Sequence, residues 1–175
     1  GKESMTIQHL LSMSSGLDWF EYAFEFDAGS DYMTMKDEED PIKFVLQKNL
    51  TDLPGSRFSY NSGNTIILYD ILKKALRTDI KKYAEQKLFN PLGIQNYKWD
   101  RFTDSLLDAA SGLYLTPRSL TKIGQLYING GMWNNAQIVS NNWIVESTKS
   151  WVEIPIFYFS ESYGYNWWKY TFETY

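Results

Sequence analysis

At 175 residues, 43% of them hydrophobic and 22% charged, the chain has ordinary globular composition and enough length for one domain with a real core, which excludes a disordered chain. Its formal charge of −4, with no cluster of lysine and arginine, argues against nucleic acid as a partner, and the lack of cysteine excludes disulfides and thiolate metal sites. No apolar run approaches the ~20 residues that span a bilayer, and the opening GKESMTIQHLL has no apolar signal-peptide core.

In chain order, residues 6–13 (TIQHLLSM) predict a short helix with Ile7, Leu10 and Leu11 on one face, stopped by Ser14-Ser15-Gly16. Residues 18–40 mix acids with rings and read as an irregular loop that turns its rings inward and solvates its carboxylates, Glu21 among them. Their spacing matches no EF-hand pattern. Asp40-Pro41 opens a helix to about Gln47, with Asp40 as N-cap and Pro41 at the first helical position. Pro54-Gly55 is a turn, and residues 58–60 form a short extended piece. The helix predicted over 62–76 carries Ile66, Ile67, Tyr69, Asp70, Leu72 and Lys73 on one broad buried face. Asp79 caps a further helix that ends at Asn90-Pro91, and residues 97–99 and 112–115 read as short strands. Thr116-Pro117 starts a helix to about Ile128, which Asn129-Gly130-Gly131 stops. Asn141-Asn142 begins the last helix, and residues 163–170 (YGYNWWKY) alternate rings and polar residues like a strand. The fold class is therefore α+β, mostly helical, and residues 1–175 read as a single domain. A final strand with nothing to join suggests a piece of something larger.

Chemistry is sparse in the pattern. Tyr60, in GSRFSYNSGN (55–64), could serve as a general base if cations held it near its phenolate form, since the free phenol titrates near pH ~10. On pattern alone, a tyrosine beside a glycine turn is more often a packing ring, and Asn61 and Ser62 read as turn and N-cap residues. There is no G-x-S-x-G. The one S-x-x-K is Ser119-Leu120-Thr121-Lys122, in the first turn of a helix, where both residue types are ordinary. The single histidine, His9, excludes a multi-histidine metal site and reads as a helix residue hydrogen-bonded to the next segment. The 17% aromatic content fits a ring-rich core, or a ring-lined cleft.

Five segments, taken in order, resemble one family. MTIQHLLSMSSGLDW, PGSRFSYNSGN, LFNPLGI, the stretch from SGLYLTPRSL to NNWIVEST, and YGYNWW are similar to serine beta-lactamase-related hydrolases: class C beta-lactamases, D-Ala-D-Ala carboxypeptidases and related esterases. The likeness covers about residues 5–169 and implies the helical part of a beta-lactamase/transpeptidase-like fold, with the main sheet largely missing. In that family a Ser-x-x-Lys pair supplies nucleophile and proton acceptor. A Tyr-x-Asn motif supplies a proton-shuttling phenol and a substrate-holding amide, and a Lys-Thr-Gly or His-x-Gly strand supports the oxyanion hole. Tyr60 matches the tyrosine. Ser62 stands at the asparagine position, with Asn61 beside it, and Trp19 falls in a region that borders the family's substrate cleft.

The resemblance thus implies Tyr60 as a catalytic residue and Ser62, Asn61 and Trp19 as substrate-binding residues. The parent would be a serine hydrolase forming an acyl-enzyme on a beta-lactam, a D-amino peptide or a small ester. The other two elements would lie before Gly1 and after Tyr175, so the chain by itself is expected to be inactive. No metal or organic cofactor is implied. The expected partners are a small-molecule or peptide substrate and, through the face left by the missing sheet, a second copy. The resemblance implies a periplasmic or secreted location. Two other readings remain: a non-catalytic relative that binds peptidoglycan or another ligand, and an aromatic-rich carbohydrate-binding or scaffolding module.

Overall fold

A computed structural model of the chain describes residues 1–21, 29–155 and 160–170. After a 3-10 turn at Lys2–Ser4, the elements are α1 (Ile7–Leu11), α2 (Asp31–Asp37), α3 (Pro41–Gln47), α4 (Ser62–Leu76) and α5 (Ile80–Ala84), which runs into a π-helical turn at Glu85–Phe89. Then come β1 (Tyr97–Trp99), β2 (Arg101–Thr103), β3 (Leu106–Leu107), β4 (Leu113–Leu115), α6 (Pro117–Ile128), β5 (Met132–Trp133), β6 (Ala136–Gln137), α7 (Asn141–Ser147), β7 (Val152–Glu153), β8 (Ser162–Tyr163) and β9 (Trp168–Lys169). Among the described residues the sheets are small and antiparallel: β1 with β4, β2 with β3, β5 with β6, and the three-stranded order β7-β8-β9. The molecule is α+β and mostly helical, as expected.

Helix starts follow their caps. The Asp40 carboxylate accepts from Lys43 N at 3.0 Å with Pro41 at the first position, and the Thr116 hydroxyl accepts from Ser119 N at 3.1 Å with Pro117 following. Asp79 caps α5 in the same way, accepting from Lys82 N at 2.9 Å. The broad buried face expected on α4 is narrower: Ile66, Ile67 and Tyr69 are buried, while Leu72 and Lys73 lie exposed.

Two stretches differ from expectation. Within the supposed loop over 18–40, α2 forms because Ser30 caps it, its hydroxyl accepting from Met33 N at 3.3 Å; the caps were hidden by the density of acids. Not all rings there turn inward, for Trp19 is buried and Phe20 is 51% exposed, and residues 22–28 lie outside the described residues. The strand expected over 163–170 is a hairpin. Tyr163 pairs with Trp168, Gly164 N donates to the Trp167 carbonyl at 2.8 Å, and Asn166 adopts a left-handed φ of 58° that ends the extended run. That hairpin already has β7 as its neighbour, so it does not lack a sheet.

Contacts divide the chain into two compact units, Gly1–Leu68 with Ser147–Tyr175, and Tyr69–Glu146. In the second, Phe89, Leu92, Ile94 and Leu126 make a buried cluster flanked by Tyr97, Trp99 and Leu115 from β1 and β4. In the first, Met13, Phe58, Ile154 and Tyr163 are buried together, with Tyr60, Val152 and Trp168 packed against them. Gly16 sets the path of the chain there. Its φ is 77°, and a Cβ at this position would lie 2.2 Å from the Asp52 carbonyl oxygen. Only glycine lets its own carbonyl take Thr51 N at 2.9 Å while Leu17 bridges to Leu50 and Asp18 N donates to the Asn49 carbonyl at 2.8 Å. This clamp delivers Trp19 and Glu21.

Candidate active site

Tyr60 sits where a short segment outside the named strands, residues 58–60, turns into α4. Ser59 N donates to the Met13 carbonyl at 2.8 Å and fixes the segment, although no strand ladder forms there. The Tyr60 ring stacks on Trp168, with centroids 5.4 Å apart and planes at 21°, and meets Tyr163 edge-on at 6.4 Å. It is half-buried. Burial, and secondarily the Glu21 carboxylate, push its phenol above its ordinary value. Around neutral pH Tyr60 is therefore a protonated phenol, able to donate a hydrogen bond.

One turn on, Ser62 donates twice to Glu21: its amide N to Oε2 at 2.9 Å and its hydroxyl to Oε1 at 2.7 Å. The Trp19 indole N–H also donates to Glu21 Oε2. Trp19 itself is buried with its ring edge on Phe44 at 6.2 Å. Sequence reasoning singled out Ser62 and Trp19 but took Glu21 for a solvated acid. The structure overturns that, since the carboxylate joins the two. The spacing Trp19-x-Glu21 was the one available signal, lost among the neighbouring acids.

Asn61 points into the protein. It is 1% exposed, and its Oδ1 accepts from Asn64 N at 3.1 Å, which makes it the N-cap of α4. Gly63 must be glycine beside it, because a Cβ there would lie 2.8 Å from both Val45 methyls and 2.9 Å from Asn61 Oδ1. Among the described residues Asn61 Nδ2 and Asn64 Oδ1 are buried without a partner, while Asn64 Nδ2 reaches only Met13 Sδ at 3.7 Å. So Tyr60, Ser62 and Trp19 gather around Glu21, and Asn61 stands apart from them in the core.

The S-x-x-K segment is a helix start. Ser119 is buried, and its hydroxyl accepts from Thr116 Oγ1 at 2.9 Å, while the Lys122 ammonium donates to the Gly93 carbonyl at 2.8 Å. His9 closes a capping box with Thr6 on its own helix: Thr6 N donates to His9 Nδ1, and His9 N to Thr6 Oγ1, while the imidazole lies against Gly55 of the following turn. A groove of about 490 Å³ lies between residues 56–58 and 151–155, but neither Tyr60, Ser62 nor Glu21 lines it. Among the described residues no cluster of acids and histidine could hold a metal ion, and no helix is long and apolar enough to cross a membrane.

The sequence matches a family model and the fold matches solved structures. The beta-lactamase family model matches residues 1–171. A protein from Bacillus anthracis assigned as a 6-aminohexanoate-dimer hydrolase superposes with a TM-score of 0.74 at 22% identity, covering 94% of this chain and 47% of that one. A penicillin-binding protein from Bacillus halodurans gives 0.71 at 15% identity, over 96% and 58% of the two chains. A D-stereospecific amidohydrolase from Streptomyces gives 0.65 at 16%, over 92% and 55%. No curated protein matches the sequence. The chain belongs to the beta-lactamase family, a hydrolase family. It spans about half the length of these solved structures and has the helical part of their fold.

Proposed function

We propose that this chain is part of a serine hydrolase that cleaves an amide or ester through an acyl-enzyme, with Tyr60 relaying the proton. The observation that carries the reading is the placement of Tyr60: a phenol kept protonated by burial, held between Trp168 and Tyr163, at the N-terminal end of α4. A serine outside the described site attacks the carbonyl carbon, the C–N or C–O bond breaks, and the leaving nitrogen or oxygen takes the Tyr60 proton. The Tyr60 phenolate that this leaves takes up the proton released from the serine, which restores the phenol. Water then cleaves the acyl-serine ester, giving the acid and the free serine.

Burial and the Glu21 charge both oppose phenolate formation, so the relay needs a cation beside Tyr60. None of the described ion pairs supplies one. A lysine of a Ser-x-x-Lys pair would do so. It is not Lys122, which is held by Gly93. Accordingly the 175-residue chain alone is expected not to turn over substrate. In the full-length protein Tyr60→Phe should lower kcat on a chromogenic ester or beta-lactam by about 10²–10⁴ while leaving the fold intact. Unchanged kcat would remove Tyr60 from the mechanism.

The engagement of Ser62 by Glu21 favours a second reading, a binding relative that has lost catalysis. A full-length protein that binds a D-amino peptide yet hydrolyses no ester, amide or beta-lactam would decide for it.

A further inference from the structure

Glu21 is an acid of unusual standing in this molecule. Its carboxylate is half-buried and receives three hydrogen bonds, all from neutral donors: Ser62 N, Ser62 Oγ and the Trp19 indole. Among the described residues no lysine, arginine or histidine pairs with it. The nearest cation to Trp19 is Lys48, whose ammonium lies 5.8 Å from the indole centroid, and Lys48 is committed to Asp31. The three segments outside the described residues, YAFEFDA, IFYF and TFETY, contain no basic side chain either. Among the described residues this half-buried carboxylate thus has no counter-ion, and neutral dipoles solvate its charge without cancelling it.

The hydrogen-bond inventory shows where a ligand would attach. A carboxylate offers about four acceptor positions. Oε2 takes both Ser62 N and the Trp19 indole, whereas Oε1 takes only the Ser62 hydroxyl. One acceptor position on Oε1 is unfilled among the described residues. It belongs to an acid whose field reaches the Tyr60 phenol, and Ser62 is two residues from Tyr60. Trp19, buried against Phe44, and the Gly16 clamp hold the carboxylate in place, so this charge is preorganised rather than mobile.

Resting on the hydrolytic reading of the Tyr60 corner, we propose that Glu21 is its specificity-determining residue, and that the substrate is a small amide or ester carrying a primary ammonium group that docks on Glu21 Oε1. An ammonium provides the N–H donor that the open position lacks and the charge that the carboxylate lacks, in one charge-assisted bond. The same carboxylate repels substrates that place an anion there, so selection runs both ways. The Trp19 indole and the Ser62 backbone amide, both on Oε2, position the acid.

The test uses the full-length protein and ligands that differ in charge alone: 2-aminopropanamide and 4-aminobutanamide as ammonium salts, each against the uncharged amide of equal carbon number, by calorimetry. We expect at least one ammonium ligand to bind about ten-fold or more tightly than its neutral partner. Glu21→Gln should bring that ratio to within about two-fold of unity, whereas Asp18→Asn, an exposed acid outside the corner, should leave it in place. If Glu21→Gln does not fold, Ser62→Ala serves instead. It keeps the carboxylate and opens a second position on Oε1, so the preference must persist. No preference in the parent protein, a preference that survives Glu21→Gln, or one lost in Ser62→Ala overturns the proposal. Because binding is read without turnover, the two readings separate. A Glu21-dependent preference in a protein that hydrolyses nothing leaves this inference standing and removes the hydrolase, and turnover with no charge preference does the reverse.

Discussion

Phe89, Leu92, Ile94 and Leu126 fill the centre of the second unit with hydrocarbon, and two of the rings around them pair their polar atoms: the Trp99 indole donates to the Asp108 carbonyl at 2.9 Å and the Tyr97 hydroxyl to Glu85. In the first unit Met13, Phe58 and Tyr163 pack with Tyr60, and among the described residues Met13 Sδ is the partner of the Asn64 amide nitrogen. In the same unit, among the described residues, the buried Asn61 Nδ2 and Asn64 Oδ1 go without partners and the Glu21 carboxylate without a cation. The second cluster pairs these polar atoms, while three polar groups near the first are incomplete among the described residues. Local rules tend to fail where a site serves something other than stability, which is why the second cluster reads as scaffold and the first as site.

The largest effect should come from the satisfied cluster. Phe89 is 2% exposed, and Phe89→Ala should cost about 3–5 kcal/mol of unfolding free energy in a urea titration, through lost transfer energy and a residual cavity. A cost below about 1.5 kcal/mol would mean that the cluster collapses around the gap and is less tightly built than its burial implies.

The unsatisfied cluster should behave in the opposite way. Asn64 is fully buried with one orphan atom, and Asn64→Leu replaces the amide by an apolar group of similar volume. Removing both an unmet acceptor and a weak contact to sulfur should leave stability unchanged or raise it by up to about 1 kcal/mol in the same titration. A loss of about 2 kcal/mol or more would show that an ordered water or another group satisfies the amide, and the contrast between the clusters would weaken.

How legible each region was from the sequence follows the same division. Asp40, Asp79 and Thr116 announced their helices, and the spans 62–76, 97–99 and 117–128 formed as read, because caps and apolar spacing are local signals. The hairpin at 162–169 was misread as one strand, since ring alternation looks extended until Asn166 takes a positive φ. Tyr60 stood out only by its likeness to a family motif. Glu21 was missed, because beyond its spacing from Trp19 its meaning depends on a contact with Ser62, forty-one positions away, that no periodicity encodes. Asn61 was legible as a cap, though not as a buried one with an orphan nitrogen.

The smallest expected effect separates the two causes acting on Tyr60. Burial is the larger and the Glu21 charge the smaller, and both raise the phenol above the free value of ~10. Tyrosinate absorbance in a pH titration, taken as parent minus Tyr60→Phe, isolates this ring from the other twelve tyrosines. Its midpoint should lie above ~10, and Glu21→Gln should move it down without bringing it to ~10, because burial remains. The sign for stability follows. A group whose folded value is raised contributes stability that is fully present below the unfolded value of ~10 and is lost as pH rises through the folded one. Unfolding free energy should therefore fall in alkali, and fall less in Tyr60→Phe. A midpoint at or below ~10 in the 175-residue chain would mean that a cation already lies against the phenol, and Tyr60 would then be a ready base instead of a relay waiting for one.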